Sequence, residues 1–260
     1  MKTARRIRRI LAVSYIKIFQ YLLFLVGRPF KEGESRLVWR NRCVSVWASK
    51  SARWLGMKIN VEGNPPEAPF FLVCNHLSYI DVVPLYKHLD CTFVAMQEVK
   101  SWPLIGQIAR SIGVLFIDRE KIMDVKRVNE MISESFSKNQ GIVIFPEAGT
   151  SDGISISPFR SALLQIPASI EFPVSYASLS YETGPDDLPA TESVCWSGGI
   201  SFGAHVRKLV ANRSITCTLR FGEETVQMSD RKLLGQELQK RVTSLYTGSL
   251  QVKSTVRKEL

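Results

Sequence analysis

Phe70-Phe71-Leu72-Val73-Cys74 is an unbroken apolar run, and Asn75-His76-Leu77-Ser78-Tyr79-Ile80-Asp81 follows it directly. A run this short with no polar interruption reads as a strand buried on both faces. Polar residues that follow at once stand at the rim of a sheet, where open α/β folds bind their ligands. Working outward, residues 58–61, 92–95, 114–117, 142–145, 174–179 and 216–221 read as further strands. Helical stretches at 80–88, 103–112, 122–137, 159–166 and 231–246 fall between or after them. Strand and helix in alternation predict an α/β fold over 58–260: a mostly parallel sheet flanked by helices. Residues 181–189, with Gly184, Pro185, Asp186 and Asp187 in succession, read as an exposed loop.

With 260 residues, 45% hydrophobic and 22% charged, the chain can bury a full core, which excludes disorder as its main state. The five cysteines, Cys43, Cys74, Cys91, Cys195 and Cys217, form no C-x-x-C pair and no even disulfide framework. A stapled secreted scaffold and a zinc module are therefore poor fits, and a reducing compartment suits the chain. The formal charge of +10 is unevenly placed. Through Lys58 there are 14 basic and 2 acidic residues, which leaves 20 basic against 22 acidic for the remainder. A nucleic-acid enzyme would line its working groove with Lys and Arg, whereas this body is nearly neutral, so nucleic acid is not an expected partner.

The charge accompanies apolar sequence. Arg5, Arg6, Arg8 and Arg9 precede an apolar run at 10–27, broken chiefly by Ser14, Lys17 and Gln20. As a helix that run is about 27 Å long at about 1.5 Å per residue, short of a hydrocarbon core of about 30 Å. Ser14, Lys17 and Tyr21 make a narrow polar stripe, so the helix either lies in the interface or spans it. No small-x-small cleavage site follows Val26, which argues against a cleaved signal. A second helix is expected after the polar break at 31–35. There Leu37, Val44, Ala48 and Leu55 share one sector, and Arg36, Arg40, Arg42, Lys50 and Arg53 occupy other sides. Trp39, Trp47 and Trp54 beside those cations suit headgroup depth, although a helix packed on the core with a solvated basic face has the same pattern. Residues 1–57 are expected to be a basic membrane-binding, amphipathic two-helix segment, held by an anionic surface.

His76 and Asp81 carry the first chemistry. A His in a turn and an Asp five residues on can meet, the carboxylate accepting from one imidazole nitrogen and leaving the other as a base. Ser78 with Asp81 also fits a helix cap in which the acid bonds back to the cap, and the residues alone leave both readings open. His88 and His205 have no acid at a facing spacing and read as surface or packing residues.

Asn75-His76 with Asp81 resembles the N-H-x-x-x-x-D signature of the glycerolipid acyltransferases, whose bacterial members acylate lysophosphatidic acid. Gly113 through Arg119 is similar to the family's strand that ends in an acid or amide followed by Arg. Phe145-Pro146-Glu147 is similar to the start of its F-P-E-G-T-R block, and Phe172-Pro173-Val174 to a fourth, weaker one. Order and separations agree from Asn75 to Val174. The third block departs from the pattern: Ala148, Gly149 and Thr150 stand where the family has Gly, Thr and Arg. A subgroup with F-P-E-G-T-x-x-D-G is closer, because Asp152 and Gly153 then align. It includes enzymes with other acceptors.

The resemblance implies transfer of an acyl group from acyl-CoA or acyl carrier protein to a lysolipid hydroxyl. Most simply the acceptor is 1-acylglycerol-3-phosphate, with another single-chain lipid such as a lyso-ornithine lipid as the alternative. An alcohol is a poor nucleophile, so His76 would remove its proton and Asp81 would hold the imidazole's tautomer. Asn75, Arg119, Glu147, Gly149, Thr150 and Arg160 are the expected substrate-binding residues. Arg119 would pair with phosphate, Glu147 would position acceptor hydroxyls, 149–153 would turn backbone N–H groups toward an anion, and Arg160 would replace the missing guanidinium. A competing hydrolase reading rests on Gly199-Ile200-Ser201-Phe202-Gly203, a literal G-x-S-x-G, but no strand precedes it and His205 follows too closely. No nucleotide-binding or metal motif is present, so no cofactor is expected. The expected location is the cytoplasmic face of a bacterial inner membrane.

Overall fold

The structure is a computed structural model and describes residues 2–102, 105–118, 127, 130–134, 140–147, 149–197 and 199–251. In chain order the elements are α1 (Lys2–Gly27), α2 (Gly33–Leu55), β1 (Met57–Glu62), β2 (Phe71–Cys74), α3 (Val82–His88), β3 (Cys91–Met96), α4 (Ile105–Ser111), β4 (Leu115–Ile117), β5 (Gly141–Ile144), α5 (Gln165–Ser169), β6 (Val174–Thr183), α6 (Ala190–Ser193), α7 (Phe202–Leu209), β7 (Ile215–Phe221), α8 (Arg231–Leu245) and β8 (Leu250–Gln251). The strands form one sheet in the order β1-β7-β6-β2-β5-β3-β4, with β8 beside β6. Every pairing is parallel except β6 with β7. The expected mostly parallel α/β architecture is the observed one. Of the helix expected at 122–137, residues 127 and 130–134 are described and helical; the rest lies outside the described residues.

The deciding strand behaves as its composition requires. Phe71 and Val73 join Ile142, Ile144, Leu164, Leu234 and Leu238 on one face of the sheet. Leu72 and Cys74 join Val143, Leu179, Leu85 and Ala48 on the other. Successive side chains alternate faces, so only an uninterrupted apolar run fills both cores. The strand at 174 is longer than expected. It runs to Thr183, because its first half pairs with β2 and its second with β7, which shortens the loop after it.

α2 begins with a capping box in which Glu32 and Ser35 exchange hydrogen bonds, and it ends at Gly56 with φ of 69°. A Cβ at Gly56 would stand 2.9 Å from the Arg213 carbonyl oxygen, so both the left-handed turn and the close approach call for glycine. Val44, Ala48, Ala52 and Leu55 of α2 are part of the sheet's core. Trp47 also packs inward, edge-on to Tyr86 with centroids 6.4 Å apart, while Trp54 is exposed.

Arg40, expected on a solvated side, is buried. Its guanidinium donates to the carbonyl oxygens of Cys91 at 2.6 Å and Ile112 at 3.2 Å, and burial lowers its pKa. A buried cation is tolerated where backbone carbonyls replace its water. α1 also turns a polar side inward. Arg9 is buried and donates to the carbonyl oxygens of Val210, Asn212 and Arg213 just past α7, and Gln20, three turns further along the same helix, is buried too. Ile7, Leu11, Ile18, Leu22 and Val26 face outward and are exposed. The side chains of Ser14 and Lys17, in the expected polar stripe, lie outside the described set. Among the described residues no helix is long and apolar enough to cross a membrane.

Candidate active site

β2, β5, β3 and β4 are parallel neighbours, so their carboxyl ends share one edge of the sheet. His76 and Asp81 follow β2, Phe145 and Glu147 follow β5, and Gln97 and Lys100 follow β3. This is the edge at which a parallel sheet presents polar groups to a ligand.

His76 Nδ1 lies 2.8 Å from Oδ2 of Asp81. The same Oδ2 accepts the backbone N–H groups of Leu77 at 2.7 Å and Ser78 at 2.9 Å. The local geometry explains the five-residue spacing: the turn between β2 and α3 curls around the carboxylate, bringing two amides and the ring to one oxygen. Both sequence readings therefore meet in one group, since the acid bonds back to Ser78 N–H as a cap would and also reaches the imidazole. The Ser78 hydroxyl has no partner among the described residues, so the cap is only half made. Asp81 is fully buried, whereas the His76 side chain is 21% exposed. Nδ1–H donating to an ionised Asp81 leaves Nε2 as the acceptor, and among the described residues nothing bonds to it.

The backbone of His76 is clamped from both sides. Its N–H donates to Glu147 Oε1 at 2.6 Å, and its carbonyl oxygen accepts from Ser151 N–H at 2.9 Å. Glu147 Oε2 accepts Ser157 N–H at 2.7 Å. Glu147 is buried, and burial pushes its carboxyl up while the hydrogen bonds from His76 and Ser157 pull it down. Both oxygens of Glu147, expected to position acceptor hydroxyls, are engaged by backbone amides, one of them that of His76 itself. Asn75 is likewise buried, with Nδ2 donating to the Leu179 carbonyl at 3.0 Å and Oδ1 accepting Leu179 N–H at 2.7 Å. Through these bonds Asn75, expected among the substrate-binding residues, extends the β2–β6 ladder.

Thr150 Oγ1 donates to the carbonyl oxygen of Trp196, and Trp196 N–H donates to the Leu77 carbonyl at 2.8 Å, which ties the 149–153 loop to the His76 turn. Gly149 is exposed with open space around it. Gly153 takes φ of 80°, where a Cβ would meet Cys195 Sγ at 2.6 Å. Arg160 is exposed, and its backbone N–H donates to the Pro146 carbonyl at 2.9 Å. Arg119 lies outside the described residues.

Two contributors carry no local sequence signal. Phe145 stacks on the His76 ring, and Tyr181, on β6, donates its hydroxyl to Asp81 Oδ1 at 2.8 Å. Phe145 was legible as part of a block but not as a platform, and Tyr181 reads as a plain strand aromatic. A cavity of about 480 Å³ opens beside β3 and β4, lined in part by Gln97, Lys100, Arg110, Asp118 and Arg127. At about 4.8 Å per strand, the end of β3 is about 10 Å from that of β2.

The G-x-S-x-G segment has the setting expected for a loop: α6 and a turn precede it, and exposed Ser201 stands at the start of α7. His205 is fully buried, its Nε2–H donating to the Cys195 carbonyl at 3.0 Å and its Nδ1 accepting from the Tyr79 hydroxyl at 3.1 Å. Among the described residues no three His, Cys, Asp or Glu side chains gather as metal ligands.

A parallel α/β sheet with a carboxylate-oriented histidine at its carboxyl edge is an arrangement suited to acyl-transfer chemistry. Residues 58–177 match the family model described as Acyltransferase. The chain is 32% identical over 149 residues to the 1-acyl-sn-glycerol-3-phosphate acyltransferase of Neisseria gonorrhoeae, covering 56% of this chain and 58% of that one. The chain thus spans little more than half the length of that relative. It is 27% identical to the lyso-ornithine lipid O-acyltransferase of Brucella abortus over 248 residues, 89% of this chain and 88% of the other. The crystal structure of the LPA acyltransferase PlsC from Thermotoga maritima shares the fold, with a TM-score of 0.67, 16% identity, and coverage of 95% of this chain and 98% of that one.

Proposed function

We propose that this chain is an O-acyltransferase that moves a fatty acyl group from a thioester donor, acyl-CoA or acyl carrier protein, to the hydroxyl of a lysolipid. The observation that carries the reading is His76 Nδ1 held 2.8 Å from buried Asp81, with the ring 21% exposed at the carboxyl edge of the sheet. The acceptor hydroxyl gives its proton to His76 Nε2 as its oxygen attacks the thioester carbonyl. The tetrahedral intermediate then collapses to the ester, and the imidazolium returns the proton to the departing thiolate. Buried Asp81 holds the Nδ1–H tautomer and favours the transient imidazolium. General-base help of this kind is worth about 10² to 10⁴ in rate.

Lys100, Arg110 and Arg127 in one cavity against Asp118 favour an anionic head group, which supports 1-acylglycerol-3-phosphate as the acceptor. A lyso-ornithine lipid is the second reading, favoured by the Brucella abortus relative that aligns along most of the chain. The outward apolar side of α1 supports residues 1–57 as the membrane-binding segment, lying on the anionic cytoplasmic face of a bacterial inner membrane. The deciding experiment incubates purified protein with labelled acyl-CoA or acyl carrier protein and a panel of lysolipids, and identifies products by mass spectrometry. An acylated lysolipid that disappears with His76→Ala is the expected result; full turnover without His76 rejects the reading.

A further inference from the structure

Asp81 has two oxygens with unequal surroundings. Oδ2 takes three donors, the His76 ring and two backbone amides. Oδ1 takes the hydroxyl of Tyr181, 100 residues further along the chain. Tyr181 is fully buried on β6, with its own N–H donating to Ser249 Oγ at 3.1 Å. Burial alone does not force a tyrosine of this fold to find a partner: Tyr86 is buried too, and its hydroxyl has none among the described residues. The Tyr181–Asp81 bond is therefore a specific arrangement.

We propose that Tyr181 is a positioning residue of the His76 site: its O–H pins Oδ1, sets the rotation of the Asp81 carboxylate, and so directs Oδ2 at the imidazole. The inference rests on the reading of His76 as the base. Without the phenol, Oδ1 would be a buried charged acceptor with no donor, and the carboxylate would be held on its Oδ2 side alone, by the ring and the two amides, with less of its charge drawn away from the ring. The phenol also draws charge toward Oδ1 and tempers what the imidazole feels. Around Asp81 the titratable neighbours are His76 and Glu147, the thiols of Cys74 on β2, Cys217 on β7 and Cys195, and the phenols of Tyr181 and Tyr246. Burial pushes every one of these thiols and phenols up, so Tyr181 remains a donor throughout the working pH range.

The test compares wild type, Tyr181→Phe, Tyr181→Phe in an Asp81→Asn background, and protein carrying 3-fluorotyrosine at 181, all assayed as full chain for acyl transfer. Tyr181→Phe should lower kcat about ten-fold, as expected for losing a hydrogen bond to a charged group, with KM for both substrates unchanged. The acid limb of its kcat/KM profile should move to higher pH, because more of the carboxylate's charge then faces the ring. In the Asp81→Asn background the same change should cost nothing further. 3-Fluorotyrosine keeps the ring and strengthens the donor, so its acid limb should move to lower pH; this variant decides the matter if Tyr181→Phe fails to fold. A wild-type acid limb in the phenylalanine and fluorotyrosine proteins, or an equal loss with Asn at 81, overturns the inference and makes Tyr181 a packing residue. Turnover that survives His76→Ala overturns instead the reading of the site on which it rests.

Discussion

The imidazole of His76 lies flat on the ring of Phe145, with centroids 4.1 Å apart and planes inclined by 11°. Phe145 in turn stacks on Phe93 at 5.7 Å, so the base rests on an apolar platform that continues into the core. A planar face under the ring limits its rotation and favours the imidazolium through the ring quadrupole. Phe145→Leu keeps most of the apolar volume and removes the plane. It should lower kcat several-fold while costing under about 1.5 kcal/mol of stability, measured by steady-state turnover and by denaturant unfolding.

His76 and Asp81 differ in what else depends on them. The histidine side chain is partly exposed, so His76→Ala should remove transfer by at least about 10²-fold and leave the melting temperature nearly unchanged. Asp81 accepts from Leu77, Ser78, His76 and Tyr181, and an amide in its place turns a donor toward donors. Asp81→Asn should reduce activity less than His76→Ala and cost about 1–3 kcal/mol of stability, a contrast that calorimetry and turnover together would expose.

Glu147 bonds two backbone amides on separate segments, His76 N–H and Ser157 N–H. Glu147→Gln retains one acceptor and sets its NH₂ against the other amide, so stability should fall by about 1–3 kcal/mol. Because the displaced backbone is that of His76, kcat should drop with it while the KM for acceptor stays near wild type. A variant that changed only the acceptor KM would return Glu147 to the substrate-binding role.

His205 supplies a pH-dependent term. Burial lowers its pKa from the ordinary 6.5, which means the folded state resists a proton that the unfolded chain accepts. Its stabilisation is complete above about 6.5 and is lost as the pH falls toward the depressed folded value, with a slope of at most about 1.4 kcal/mol per pH unit. His205→Asn, which keeps a donor and an acceptor, should flatten that slope in urea titrations at a series of pH values. An unchanged slope would assign the acid sensitivity elsewhere.

The exposed apolar side of α1 is expected to make the contact with lipid. Leu11 and Leu22 are 64% and 54% exposed, so Leu11→Glu and Leu22→Glu should leave thermal unfolding unchanged. Each should weaken sedimentation with anionic vesicles about ten-fold or more, given the transfer energy of a leucine side chain. Equal binding by both variants would remove α1 from the interface.

Where a residue's neighbours lie within a few positions, its role was legible. The apolar run before Asn75 announced a doubly buried strand, and the five-residue step from His76 to Asp81 allowed a pair beside a helix cap, because one turn suffices to join them. Arg40 and Trp47 went the other way: a helical wheel assigned them to outer sides, while the side of α2 that packs against α3 and the sheet is wider than its apolar sector and takes in both, leaving Arg42, Lys50 and Arg53 exposed. Asn75 and Glu147 have residue types suited to ligand binding, yet backbone groups from β6 and the Ser157 segment arrive first.

Alternation of apolar runs with helical stretches, the confinement of the net positive charge to the first 58 residues and the local His–Asp spacing were set by sequence, since each is read from composition or from near neighbours along the chain. Strand order, the stacking of Phe145 under His76 and the meeting of Tyr181 with Asp81 were decided by tertiary structure. Those contacts join segments up to 158 residues apart, and only the closing of the sheet brings β6 and β5 against the turn after β2.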